Sequence, residues 1–288
     1  MTGSAWPELI APAGWRAIDF ISDLHLQASE PETVDAWTRY LQTTKTDALF
    51  ILGDLFEVWV GDDIASPNPS NPSNPSNPSN AFNAPNSDTF ERQCATSLRE
   101  ATQRFDVFFM HGNRDFLVGR DFLTQCGMGL LNDPTVLCFG EQRWLLSHGD
   151  ELCLEDVEYQ QFRKMVRSEA WQADFLSKKL AERQIIARGL RAQSEARKKL
   201  GLKFIDVDTA MATRWLHDAK SCTLIHGHTH QPADHALGDG VRRIVMSDWD
   251  MAAKPPRGQV LRLSLPEDKK SDAPPELRRY LISSKLAI

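Results

Sequence analysis

The chain has 288 residues, 41% of them hydrophobic and 25% charged, with a net charge of −6. Those proportions are those of a soluble globular protein with room for a substantial core and an inserted segment. The negative balance argues against a protein that coats nucleic acid, while leaving room for a local basic site; no apolar run approaches the roughly 18 to 20 residues that a membrane span needs.

In chain order, Ala17 to Ser22 (AIDFIS) reads as a short strand that runs into Asp23-Leu24-His25. Glu32 to Leu41 has helical spacing, and Ala48 to Leu52 is a second apolar strand. It ends in Gly53-Asp54, a glycine that lets the backbone turn and a carboxylate just beyond it. Glu91 to Arg104 reads as a helix and Val107 to Met110 as a third strand, followed by His111-Gly-Asn-Arg-Asp115. Arg143 to Ser147 is another apolar run before His148-Gly-Asp150. Thr223 to Ile225 leads into His226-Gly-His-Thr-His230, and Arg242 to Met246 and Gln259 to Leu265 read as strands returning to the core. The alternation of strands and helices predicts an α/β fold, a parallel or mixed sheet with helices on its faces.

Two segments break this pattern. Asn68 to Asn80 is four copies of Asn-Pro-Ser and a final Asn, within a stretch 66–88 expected to be a mobile low-complexity loop. Glu155 to Lys203 lacks strand alternation and is rich in helix formers. From Gln160 to Lys203 it holds 12 Lys/Arg against 4 Asp/Glu, a net +8, so the rest of the chain carries −14. The expected organisation is a core over 15–154 and 204–265, a helical cap inserted at 155–203, and a C-terminal tail at 266–288. Five cysteines without a CxxC pair are expected as free thiols in a reducing compartment. The opening MTGSAWPELIAPAGWR has no basic stretch followed by an apolar one. No signal peptide is read, and a cytosolic location is expected.

Five segments share one grammar: an apolar strand, a small or polar turn, then residue types that bind metals. They contribute Asp23 and His25, Asp54, Asn113, His148, and His228 with His230. Asp23 and His25 are two apart, so both can face one side of extended backbone, as can His228 and His230. His111, His217, His226 and His235 are left out as ordinary structural histidines. Seven donors exceed the needs of one ion that keeps water positions, whereas two ions sharing a carboxylate match the count. Carboxylate, amide and imidazole without cysteine suits Mn, Fe or Zn, and the oxygen content favours Mn. Paired ions of this kind are a common solution for phosphoester cleavage.

The order DxH, GD, GN, H and GHxH resembles the calcineurin-like metallophosphoesterases. That resemblance implies a sandwich of two mixed β-sheets flanked by helices. It also implies one ion on Asp23, His25, Asp54 and His230, and a second on Asp54, Asn113, His148 and His228. Arg114 stands after the GN asparagine, where many members have histidine. With SDLHL, GDLFEVWVGDD, SHGDELCLED and IHGHTHQP, that variant resembles the UDP-2,3-diacylglucosamine hydrolases, the lipid A pathway pyrophosphatases of this superfamily, over roughly Ile18 to Trp249. The repeat and the tail depart from the pattern without touching the site.

This resemblance implies attack on the α-phosphorus of UDP-2,3-diacylglucosamine by a hydroxide activated by two Mn2+ ions, giving UMP and 2,3-diacylglucosamine 1-phosphate. Asp54, Asn113 and Arg114 would be catalytic. Asn113, Arg114, Asp156, Tyr159, Ser194, Lys198 and His228 would meet the substrate. It implies cytoplasmic enzyme with peripheral contact on the inner membrane surface and no nucleic-acid partner. The alternative is another two-metal phosphodiesterase or a nuclease of the same fold. A nuclease needs a long basic track, whereas the positive charge here is concentrated in the cap.

Overall fold

The computed structural model describes residues 6–66, 89–199, 205–267 and 273–282, with no side chains for 193–199. The Asn-Pro-Ser repeat lies outside the described residues. In chain order the elements are β1 (Glu8–Ile10), β2 (Ala17–Ile21), α1 (Pro31–Thr43), β3 (Ala48–Leu52), α2 (Phe90–Thr102), β4 (Asp106–Met110), α3 (Arg120–Cys126), β5 (Gly129–Leu131), β6 (Thr135–Phe139) and β7 (Gln142–Ser147). There follow α4 (Val157–Val166), α5 (Glu169–Ser177), α6 (Leu180–Lys199), α7 (Thr209–Ala219), β8 (Thr223–His226), β9 (Ala233–Gly238), β10 (Val241–Val245), β11 (Gln259–Ser264) and β12 (Glu276–Leu281).

The strands form two mixed sheets, in the orders β12-β11-β2-β3-β4-β5 and β1-β6-β7-β8-β10-β9. β2, β3, β4 and β5 run parallel, as do β7, β8 and β10. Strand alternation decides which side chain goes where. Ile18, Phe20, Phe50 and Leu52 of the first sheet face Leu137, Trp144, Leu146, Ile225 and Ile244 of the second, making the layer between them. Leu49, Ile51, Val107 and Phe109 point the other way, onto Trp37, Leu41, Leu98 and Phe122 of α1, α2 and α3. Leu145 and Leu224 on the outer face of the second sheet meet Trp215 and Leu216 of α7. Burial on both faces is why β3 is an unbroken apolar run.

The sequence reading underestimates the sheets at their edges. Residues 8–10 and 276–281, placed outside the core, pair as β1 with β6 and β12 with β11. Among the described residues of the segment 155–203 there are three helices, α4, α5 and α6. Asp156 caps α4 by accepting from the Tyr159 N–H at 3.0 Å, and Ser168 caps α5.

One polar group sits deep in the first sheet. Asp19 is fully buried on β2. Arg262 of β11 donates to both its oxygens at 2.6 and 2.7 Å, and Tyr40 and Thr44 hydroxyls add bonds of 2.8 Å. Asp19→Ala strands the guanidinium and both hydroxyls. It is expected to lower stability by about 3 kcal/mol, read as a drop in the urea midpoint at unchanged slope.

Candidate metal centre

The loops that follow β2, β3, β4, β7 and β8 converge on one point. Backbone bonds set their positions. The Asp23 N–H donates to the Gly53 carbonyl at 3.1 Å and the His25 N–H to that of Asp54 at 3.0 Å, so the loops run side by side past the strand ends. Gly227 donates to the His148 carbonyl at 3.0 Å, and the His228 N–H donates to Asp23 Oδ2 at 2.9 Å, tying the second sheet to the first.

All seven residues singled out by the grammar come together here. His230 Nε2 lies 3.2 Å from Asp23 Oδ1 and 3.2 Å from His25 Nε2. Asn113 Oδ1 is faced by His148 Nε2 at 3.0 Å and His228 Nδ1 at 2.9 Å. Asp54 stands between these groups, with Oδ2 3.9 Å from His25 Nε2 and Oδ1 3.8 Å from His148 Nε2. Five of the seven hold positive φ: Asp23 at 54°, His25 at 49°, Asp54 at 53°, His228 at 67° and His230 at 54°. Each such residue costs on the order of 1 kcal/mol, and such clustering marks a functional site.

The donor set fits divalent cations. Asp23 and Asp54 are buried, yet among the described residues neither is paired with a Lys or Arg side chain. The His25 and His230 imidazole nitrogens face each other, and those of His148 and His228 share the Asn113 amide oxygen, so ligand-type atoms converge in two groups. Asp23, His25 and His230 present ligand atoms within 4.8 Å of one another, as do Asp23, Asp54 and His148.

Electrostatics distinguishes the histidines. Burial lowers the His228 pKa to about 4, with His148 adding to the effect, so its ring is a neutral donor at neutral pH. Burial would lower His148 as well, but Asp54, Asp150 and Asp23 outweigh it and raise the value to about 9. Its Nδ1–H donates to the Leu52 carbonyl at 2.9 Å, leaving Nε2 to carry the extra proton. A ligand nitrogen must be deprotonated, so a cation binding there displaces that proton. Divalent-ion affinity is therefore expected to rise with pH up to about 9, with proton uptake by buffer on metal addition. Calorimetric titrations in two buffers of different ionisation enthalpy check this; equal heats would contradict it.

Three acids that the sequence reading passed over support the ligands. Asp115 is buried and accepts from the N–H groups of Gly112 (2.8 Å), Leu55 (2.7 Å), Asp54 (3.3 Å) and Phe56 (3.3 Å), clamping the Asp54 loop to the Asn113 loop. Burial and the facing Asp54 push its carboxyl up, to about 7, against the pull of those donors. Asp150 receives Arg163 Nε at 2.9 Å and the Tyr159 hydroxyl, which fastens α4 beside His148. Glu57 reaches His25. Of the three, Glu57 carried a signal in the sequence, a lone acid inside the apolar run LFEVWV.

The expected substrate contacts are partly placed. The Arg114 N–H donates to Asp54 Oδ1 at 2.8 Å, and its side-chain Nε is buried without a hydrogen-bond partner. The Tyr159 ring stacks on His228 at 6.0 Å. Asp156 is engaged as the α4 cap. The side chains of Ser194 and Lys198 lie outside the described residues.

Comparison with known proteins settles the lineage. The calcineurin-like phosphoesterase family matches residues 17–232. A protein of Chromohalobacter salexigens named UDP-2,3-diacylglucosamine hydrolase is 38% identical over 272 residues, covering 92% of this chain and 98% of that one. Proteins of the same name from Chromobacterium violaceum and Aromatoleum aromaticum are 44% and 41% identical, covering 81% and 80% of this chain and 90% and 88% of theirs. The chain belongs to the UDP-2,3-diacylglucosamine hydrolase family of calcineurin-like phosphoesterases. Membership makes it a metal-dependent phosphoester hydrolase, as its motifs led one to expect. The family's two-sheet sandwich is the architecture described above. Among the described residues no helix is long and apolar enough to cross a membrane.

Proposed function

We propose that this chain hydrolyses UDP-2,3-diacylglucosamine at the α-phosphorus, releasing UMP and 2,3-diacylglucosamine 1-phosphate. The reaction class rests on one observation: the two carboxylate oxygens of Asp54 are turned towards two different groups of ligands. The substrate is that of the relatives' name, which this chain matches along 98% of the first of them.

Asp23, His25, Asp54 and His230 would hold one Mn2+ and Asp54, Asn113, His148 and His228 the other. Oxygen and imidazole donors without cysteine support Mn2+ over softer ions. Bound there, the ions supply an activated water at neutral pH and offset the charge that builds on the phosphoryl oxygens. Arg114 gives the substrate a planar, permanently charged fork. Its unpartnered buried Nε–H supports a role in binding a phosphate oxygen. The departing group is a phosphate monoester, which leaves without needing a histidine acid at the position Arg114 occupies.

The helices of 155–199 act as a cap over the two-sheet core, which takes in β1 and β12 at its edges. Val157, Met165, Leu176, Ile185 and Leu190 are exposed on this basic segment. They support acyl-chain contact and peripheral binding at the cytoplasmic side of the inner membrane, with Asp156, Tyr159, Ser194 and Lys198 at the headgroup. Incubation with UDP-2,3-diacylglucosamine, with and without Mn2+, tests the proposal. Metal-dependent UMP release is expected, with no comparable cleavage of DNA or cyclic nucleotides; the reverse preference would sink it.

A further inference from the structure

The stretch that follows Asp54, Leu55 to Asp63, is buried or half-buried throughout, and its acids have separate tasks. Asp62 accepts from the N–H groups of Gly119 at 2.8 Å and Phe122 at 2.9 Å at the start of α3. Asp63 pairs with Arg183 of α6. Glu57 lies between the cap and a metal ligand. Its Oε2 is 2.6 Å from His25 Nδ1, and its other oxygen is paired with Arg191 of α6. Arg191 Nη1 also donates to the Glu57 carbonyl at 3.0 Å, and the Glu57 N–H donates to the Leu26 carbonyl at 3.2 Å. The 2.6 Å approach is off-axis, so Nδ1 has an anionic neighbour without a well-aligned hydrogen bond.

We propose that Glu57 is a positioning residue for His25, and that Arg191 holds it there, so that seating of α6 against the core and cation affinity at the His25 side are coupled. His25 Nε2 faces His230 and Asp54, so it is the nitrogen that serves a cation. Its ring proton must then sit on Nδ1, where Glu57 is the adjacent carboxylate. A carboxylate behind a ligating imidazole fixes its tautomer and rotation and raises its basicity. Arg191 neutralises Glu57 on its far side. Without that partner the carboxylate is a buried charge free to turn out of line. The inference rests on the two-ion reading of the centre.

Mn2+ binding to the full-length protein, read by calorimetry and by the loss of the free-ion electron resonance signal, tests it without an activity assay. Wild type is expected to bind two ions; fewer than two would overturn the two-ion reading itself. Given two, Glu57→Gln is expected to weaken one ion by about 10- to 100-fold and leave the other unchanged. Arg191→Met should weaken the same ion by a smaller factor, and the double variant should do no more than Glu57→Gln alone. Arg183→Met, which removes the Asp63 pair but leaves Glu57 alone, is the control for a loosened cap. Unchanged isotherms in Glu57→Gln, or equal weakening in Arg183→Met, would overturn the coupling. Melting curves in EDTA show that each variant is folded before its isotherm is read.

Discussion

Asp54→Ala is expected to lower UMP release from metal-replete protein by on the order of 10^3-fold or more. Its carboxylate faces both ligand groups, 3.9 Å from His25 Nε2 and 3.8 Å from His148 Nε2, so its loss removes a donor from each. Bound Mn2+ should fall below two per chain. The stability of the metal-free protein should change little, because opposing contributions are lost together. Asp54 and Asp115 are buried acids that repel each other, and Asp54 is one cause of the raised Asp115 pKa. Removing Asp54 relieves that repulsion and gives up its attraction to His148 and the bond from the Arg114 N–H, while Asp115 keeps its bonds to the Leu55 and Gly112 N–H groups. Loss of activity with a melting temperature in EDTA close to that of wild type is the expected signature. Activity near the wild-type rate in metal-replete variant would contradict the assignment of Asp54.

Gly112→Ala comes next in expected effect, although residue 112 has no side chain to offer the centre. A Cβ there would lie 2.1 Å from Asp54 Oδ1 and 2.3 Å from the Asp54 nitrogen. Neither atom belongs to a flexible side-chain end, because Asp115 and the Arg114 N–H hold this loop in place. Relief requires moving the Asp54 carboxylate by about an ångström, a displacement that can cost about 10^2-fold in rate. Gly53→Ala meets a similar obstacle from the preceding turn. Its φ is +89°, and a Cβ would lie 2.5 Å from His148 Nδ1. The two glycines explain why the GD and GN turns are written as they are. Steady-state rates at saturating Mn2+, with melting curves alongside, separate the kinetic loss from unfolding. A Gly112→Ala protein with wild-type rate and stability would show that the loops are not packed this tightly.

The ligands were legible because each lies just past an apolar strand, and strand ends are where such folds gather their functional groups. β3 has the same bounds, Ala48 to Leu52, in the apolar run and in the sheet. The edge strands were not legible in the same way. β1 has three residues, and β12 (ELRRYL) has one face exposed and charged, so neither stands out as an apolar run. The supporting acids were hidden for another reason. Asp115 and Asp150 follow glycine or arginine in turns, where aspartate is ordinary; what they accept depends on loops some 60 residues away for Asp115 and on α4 for Asp150. Glu57 shows the gap most clearly. Its place in an apolar run signals burial, but its partners, His25 and Arg191, are 32 residues before and 134 residues after it. Local spacing carries no trace of either.

The proposed hydrolysis at the α-phosphorus of UDP-2,3-diacylglucosamine puts the solvent oxygen on one product only. Mass spectrometry of both products after one turnover in 18O-labelled water, with Mn2+ present, tests it most directly. One 18O atom in UMP and none in 2,3-diacylglucosamine 1-phosphate is the predicted result. Label in the lipid phosphate, or no UMP at all, would contradict it.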